Sequence, residues 1–171
     1  MKVTRLAIPD VVLLEPTVFE DARGAFFESF SLREFQNLVG VTYDFVQDNQ
    51  SVSRKNVLRG LHYQVAPRAQ GKLVRVIRGA IFDVAVDIRE GSRTYRQWIS
   101  HHLSADNRKQ IWIPPGFAHG FLAVEDNTEV LYKTTDYYDR SSEQVIPWND
   151  PEIKISWPAQ NPILSHKDAA A

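Results

Sequence analysis

The chain contains no cysteine, which excludes disulfides, thiol nucleophiles and thiolate metal sites and leaves the redox compartment open. It also has no surplus of charge: 20 basic residues against 21 acidic ones give a formal net charge of -1. That balance provides no footprint for a phosphate backbone, so nucleic acid is not an expected partner. Any anionic ligand must instead be met by a local cluster of arginine and lysine. No apolar run approaches membrane-spanning length, and the one within Met1 to Val12 is too short for a signal peptide. A cytoplasmic protein without a membrane partner is expected. With 171 residues, 43% of them hydrophobic, the chain has room for one domain, 1–171, whose core needs no staple.

Helical periodicity is scarce as well. Val11-Val12-Leu13-Leu14 before Glu15-Pro16 reads as a strand stopped by proline, Asp21-Ala22-Arg23-Gly24 as a turn, and Ala25 to Phe30 as a second strand. The one helix follows. Ser31 and Glu34 form a capping box, Leu32, Phe35, Leu38 and Val39 make an apolar stripe, and Gly40 can close the helix in the left-handed conformation. From there to about Val145 the chain reads as short strands: Tyr43–Val46, Val57–Tyr63, Lys72–Ile77, Ala80–Ile88, Trp98–Leu103, Gln110–Ile113, Phe117–Val124 and Glu129–Thr135. Many antiparallel strands with tight corners predict an all-β jelly-roll barrel, with an irregular tail from Trp148 that carries short helical turns.

Within this pattern, Asn56-Val57-Leu58-Arg59-Gly60-Leu61-His62-Tyr63-Gln64 sets an arginine and a histidine on a segment otherwise suited to burial, and buried ionisable groups need a reason. Alternation places Gly60, His62 and Gln64 on one face. Lys72 opens a strand, His119 follows the Pro115-Gly116 turn, and Tyr132 and Tyr138 share a phase if their strand continues. Asp83 and Asp168 are the acidic candidates. Taken singly, each has a plainer reading: a satisfied core histidine, core tyrosines, a surface ion pair for Arg59, a solvated carboxylate near a chain end. Together they supply a base, an acid and a cation, the set that proton transfer beside a carbonyl requires. An imidazole suits the base, a carboxylate on its other nitrogen would fix its tautomer, and an ammonium can hold the enolate oxygen. A tyrosine on the opposite face would return the proton and invert the centre.

The Pro-x-Gly-x-x-His arrangement and the histidine strand before it resemble the two motifs of cupin barrels. Metal-dependent cupins offer a second histidine where this chain has Gln64 and a glutamate in the region of Lys72. An amide is a poor substitute for imidazole and an ammonium repels a divalent ion, so neither metal nor other cofactor is expected.

The set Arg23 with Glu28, Gln47-Asp48-Asn49, Leu58 to Gln64, Lys72, Pro115 to Phe121, Tyr132, Tyr138 and Glu143 closely resembles the dTDP-4-dehydrorhamnose 3,5-epimerases, over nearly the whole chain from Phe19 to Asp168. That resemblance implies a metal-independent cupin homodimer that inverts carbons 3 and 5 of dTDP-4-dehydro-6-deoxyglucose on the way to dTDP-rhamnose. It implies His62 as proton acceptor, Tyr132 as donor, Lys72 beside the enolate, and Asp168 as the carboxylate behind His62, with Asp83 as the alternative. It further implies that Arg23, Glu28, Gln47, Asp48, Asn49, Arg59, His119, Glu143 and Lys167 surround the nucleotide sugar, with Tyr138 on the thymine and Arg23 and Glu28 supplied by the neighbouring subunit. Guanidinium groups suit a pyrophosphate, and an aromatic face suits a base. An epimerase of a single carbon, a metal cupin oxygenase and a non-catalytic sugar-binding cupin are the rival readings.

Overall fold

Apolar residues alternating along short strands must bury one face, and two sheets facing each other satisfy that need. The computed structural model describes residues 1–171. Its larger sheet has the order β1 (Lys2–Arg5), β2 (Val12–Glu15), β10 (Gln110–Ile113), β7 (Lys72–Arg78), β12 (Thr128–Thr134) and β5 (Gln47–Ser53). The smaller runs β13 (Glu143–Val145), β6 (Leu58–Gln64), β11 (Phe117–Ala123), β8 (Ala80–Asp87) and β9 (Trp98–Ser104). A separate hairpin pairs β3 (Phe19–Asp21) with β4 (Gly24–Phe26). This is the expected cupin-like jelly roll, with antiparallel pairing between neighbouring strands.

Val74, Val76, Ile111 and Val130 of one sheet meet Ile81, Leu103, Phe117 and Phe121 of the other in the central core. Outside the larger sheet lies α1 (Leu32–Val39), capped as its sequence predicts: Ser31 Oγ accepts from the Glu34 amide at 3.4 Å, and Gly40 adopts a φ of 79°. Phe35 and Val39 pack on Val12, Leu14, Leu73 and Trp112. Emptying the Phe35 position to alanine would cost about 3–5 kcal/mol. The tail covers the smaller sheet through Ile153, Ile155 and Trp157 and ends in α2 (His166–Ala169).

Four strand expectations need correction. β1 and β3 have no counterpart in the sequence reading, because both are short and largely exposed. The strand expected over 25–30 ends at Phe26. No strand covers 43–46; it begins at Gln47, where half-buried Gln47, Asn49 and Ser51 alternate with exposed Asp48, Gln50 and Val52. Such a strand has no hydrophobic period to read, since its inner face lines a polar cavity. Finally, β12 stops at Thr134, where the Thr134 hydroxyl donates to the Asp136 carbonyl and starts a turn, so Tyr138 does not share a strand with Tyr132.

Candidate active site

A cavity of about 380 Å³ opens at one end of the barrel. Glycine shapes its floor. Gly60, with φ 130°, lies so close to β11 that a Cβ there would stand 2.5 Å from the Gly120 Cα. The β6–β11 register shifts at this approach, between the pairs His119–His62 and Phe121–Arg59. Strict alternation would set Arg59 and His62 on opposite faces, yet both line the cavity.

Nε2 of His62 lies 2.6 Å from Asp168 Oδ1. Asp168 is 4% exposed despite its place in the tail, because the tail is pinned: Ile163 bridges Val57, exchanging backbone hydrogen bonds with Asn56 and Leu58. Burial alone would raise the Asp168 carboxyl, but hydrogen bonds from His62 and Ser165 outweigh it and hold the group below its ordinary range. Ser165 Oγ donates to Asp168 Oδ2 at 2.8 Å and accepts the Asp168 amide at 3.1 Å. Asp168, and not Asp83, is therefore the carboxylate on His62. Asp83 instead meets Nε2 of His119 at 2.8 Å.

The buried Lys72 Nζ donates to the His62 carbonyl at 3.0 Å. Burial draws its ammonium down to about 8, against the upward pull of Asp83 and Glu143 and with a further lowering by Lys167. Tyr132 enters from the larger sheet, opposite the strand that carries His62, and burial raises its phenol. The phenol thus stays protonated at neutral pH, a donor facing a histidine across one cavity. Arg59 is anchored by Nε to Ser53 Oγ and by Nη2 to the Val52 carbonyl.

At the mouth, the Tyr138 hydroxyl donates to Glu143 at 2.8 Å, its backbone amide donates to the Gln47 side chain, and its ring is half exposed. That hydrogen bond to Glu143 raises the Tyr138 phenol. Lys167 pairs with Glu143 at the rim. Asn49 also lines the cavity. Four expected residues do not, Lys167 among them, which reaches the cavity only through its ion pair with Glu143. Asp48 turns outward and pairs with Lys133 at 2.9 Å, as alternation along β5 dictates. Arg23 is exposed on the β3–β4 hairpin and bonded to Asp21, and Glu28 follows that hairpin away from the cavity lining.

Of the lining residues not foreseen as site components, two hold the site's geometry. Ser165 could have been read from Ser165-x-x-Asp168, a capping spacing. Gln64 stands where a metal cupin would place a histidine, and here its amide serves structure: Nε2 donates to the carbonyls of Arg68 and Tyr137, and Oε1 accepts from the Asp139 amide. It thereby fixes the loop that carries Tyr138. His62 and His119 are already engaged by carboxylates, a buried ammonium shares their cavity, and no group of three or more His, Cys, Asp or Glu is placed to hold a metal ion. The residues present do not fit a divalent cation.

The family model described as dTDP-4-dehydrorhamnose 3,5-epimerase matches residues 5–171. A dTDP-4-dehydrorhamnose 3,5-epimerase of Pseudomonas aeruginosa is 58% identical over 169 residues, spanning 98% of this chain and 93% of its own. A crystal structure of dTDP-6-deoxy-D-glucose-3,5-epimerase from Legionella pneumophila in complex with dTDP-4-keto-L-rhamnose is similar at a TM-score of 0.96 and 48% identity, covering 99% of this chain and 90% of that one. A 3'-monoepimerase from Streptomyces bikiniensis in complex with dTDP-quinovose gives a TM-score of 0.91 at 32% identity, covering 97% and 84%.

Proposed function

The chain belongs to the dTDP-4-dehydrorhamnose 3,5-epimerase family, and from that membership we propose that it inverts C3 and C5 of dTDP-4-dehydro-6-deoxy-D-glucose to give dTDP-4-dehydro-L-rhamnose in dTDP-L-rhamnose biosynthesis. The observation that supports this most directly is the opposition of His62–Asp168 and Tyr132 across a cavity that also holds the Lys72 ammonium.

His62 takes the proton from C5 and the charge moves onto O4 as an enolate. Lys72 meets that oxygen, while Asp168 stabilises the imidazolium. Tyr132 returns a proton to the opposite face of the same carbon; the His62 imidazolium then gives its proton to solvent and the Tyr132 phenolate takes one back. C3 flanks the same carbonyl, so the same residues serve its inversion. A positioned base contributes about 10²–10⁴ in rate, and one donor on a developing oxyanion about 10²–10³. Arg59 and His119 bind the polar part of the nucleotide sugar with Gln47 and Asn49, Tyr138 stacks on the thymine, and Glu143 and Lys167 hold the rim.

The working unit is a homodimer in this reading. All six paired residues of the β3–β4 hairpin are exposed, with Phe19 at 63% and Phe26 at 73%, and an isolated two-stranded hairpin is marginal in water. A second copy covers it and receives Arg23 and Glu28 at its own cavity. No helix is long and apolar enough to cross a membrane, and we place the reaction in the cytoplasm.

Incubation of the substrate with the protein in heavy water tests the reading. Deuterium at both C3 and C5 of the recovered sugar, located by NMR, is expected. Label at one carbon only would favour a single inversion, as in the 3'-monoepimerase, and no label would end the enzyme reading.

A further inference from the structure

One buried acid is left without a task. Asp83 is fully buried on β8, between Ile81 and Ala85 on the face that packs into the central core. A charge in such a place costs several kcal/mol unless it is met. Oδ2 is met by His119, but Oδ1 is buried with no hydrogen-bond partner. The fold does not need this group for pairing, because β8 and β11 are joined by an unbroken backbone ladder from Phe117–Asp87 to Ala123–Ile81. What lies around Asp83 is the polar end of the cavity. His119 pairs across the strands with His62, and the Lys72 ammonium is bonded to the His62 carbonyl.

We propose that Asp83 is a positioning residue for the epimerisation: it holds His119 with its free ring nitrogen toward the substrate, and through the His119–His62 cross-strand pair it sets a buried carboxylate beside the Lys72 side chain where the enolate oxygen forms. This rests on the epimerase reading of the cavity. Lys72 is drawn down to about 8 by burial, and Asp83 is the larger of the two groups that pull it back, Glu143 being the other. Lys167 opposes them, and His62 with Asp168, His119, Arg59, Tyr63, Tyr132 and Tyr138 are the other titratable groups lining the cavity. The sign follows. Lys72 is charged below its pKa and neutral above it, so turnover falls as pH rises through about 8, and removing the Asp83 charge moves that fall to lower pH.

The test measures kcat and KM against pH for the wild type, Asp83→Asn, Lys72→Met and the double variant. Asp83→Asn keeps the shape of the side chain. It is expected to lower kcat about 10-fold at neutral pH, a fraction of what one oxyanion donor supplies, and to raise KM through the loosened His119. Its alkaline limb is expected below that of the wild type. In the Lys72→Met background the kcat loss should shrink to less than about twofold while the KM effect through His119 stays, because only residues that act through one another are non-additive. An unshifted alkaline limb, or a full kcat penalty in the Lys72→Met background, would overturn the proposal. If Asp83→Asn alone does not fold, melting temperatures decide. Lys72→Met leaves the buried acid without its ammonium, so the double variant should melt higher than Lys72→Met, and a lower value would overturn the coupling. Wild-type exchange at C3 and C5 is read in parallel: its absence defeats the epimerase reading, whereas normal wild-type exchange with an indifferent Asp83→Asn defeats only this inference.

Discussion

Two histidines face one another across β6 and β11, and each has an aspartate on Nε2. The His62 side chain is 29% exposed, and its aspartate arrives from the tail, 106 residues away, with a serine on the second oxygen. The His119 side chain is 7% exposed, its aspartate comes from the adjacent strand, and the second oxygen has nothing. The same two residue types thus make one histidine open to the cavity and one held almost out of reach of solvent. The difference lies in access and in what supports the carboxylate, since the imidazole–carboxylate contacts, at 2.6 and 2.8 Å, are nearly equal.

The largest effect should separate the two at once. His62→Ala is expected to lower turnover by about 10²–10⁴ and to abolish deuterium exchange at both carbons, with an unchanged melting temperature showing that the fold survives. Residual exchange at either carbon near the wild-type rate would mean that the other histidine can serve as base, and the distinction would collapse. Asp168→Asn comes next. An amide in its place favours the wrong tautomer, and about a 100-fold loss in kcat is expected, short of the largest losses known for such a change. Its loss should be uniform from pH 7 to 9, in contrast to the pH-dependent loss in Asp83→Asn; matching profiles would make the pairs equivalent. Ser165→Ala is the smallest. Removing its hydrogen bond, worth about 1 kcal/mol, lets the Asp168 carboxyl rise toward its ordinary value. Activity is lost as pH falls through that pKa, so the acid limb of kcat should begin higher while turnover at pH 7 drops only a few-fold. An unmoved acid limb would assign the pinning of Asp168 to the Ile163 bridge alone.

The two pairs also differ in how readable they were. The strand carrying His62, the Pro-Gly turn before His119 and the capped helix at Ser31 all announce themselves through local residue patterns, and the structure has each in place. Which aspartate serves which histidine is a matter of register and chain path. Asp83 and Asp168 were both open for His62 because no local signal says that Ile163 pairs with Val57. The polar strand Gln47–Ser53 escaped for a related reason: its inner face meets a cavity instead of a core, so the hydrophobic alternation that marks a strand is missing. Residues of the β3–β4 hairpin match the family by sequence, yet within one chain they meet no cavity lining at all.

The amide of Gln64 carries a consequence for metal binding in this barrel. Two of its three hydrogen bonds hold the turn that presents Tyr138 and the third holds the Arg68 carbonyl, and they occupy the position where metal-binding cupins keep an imidazole. A histidine at 64 would gain a ligand while setting the Tyr138 loop loose, and it would still face the ammonium of Lys72. No single substitution along that route improves either chemistry. A metal site at this residue would therefore need Gln64 and Lys72 to change together.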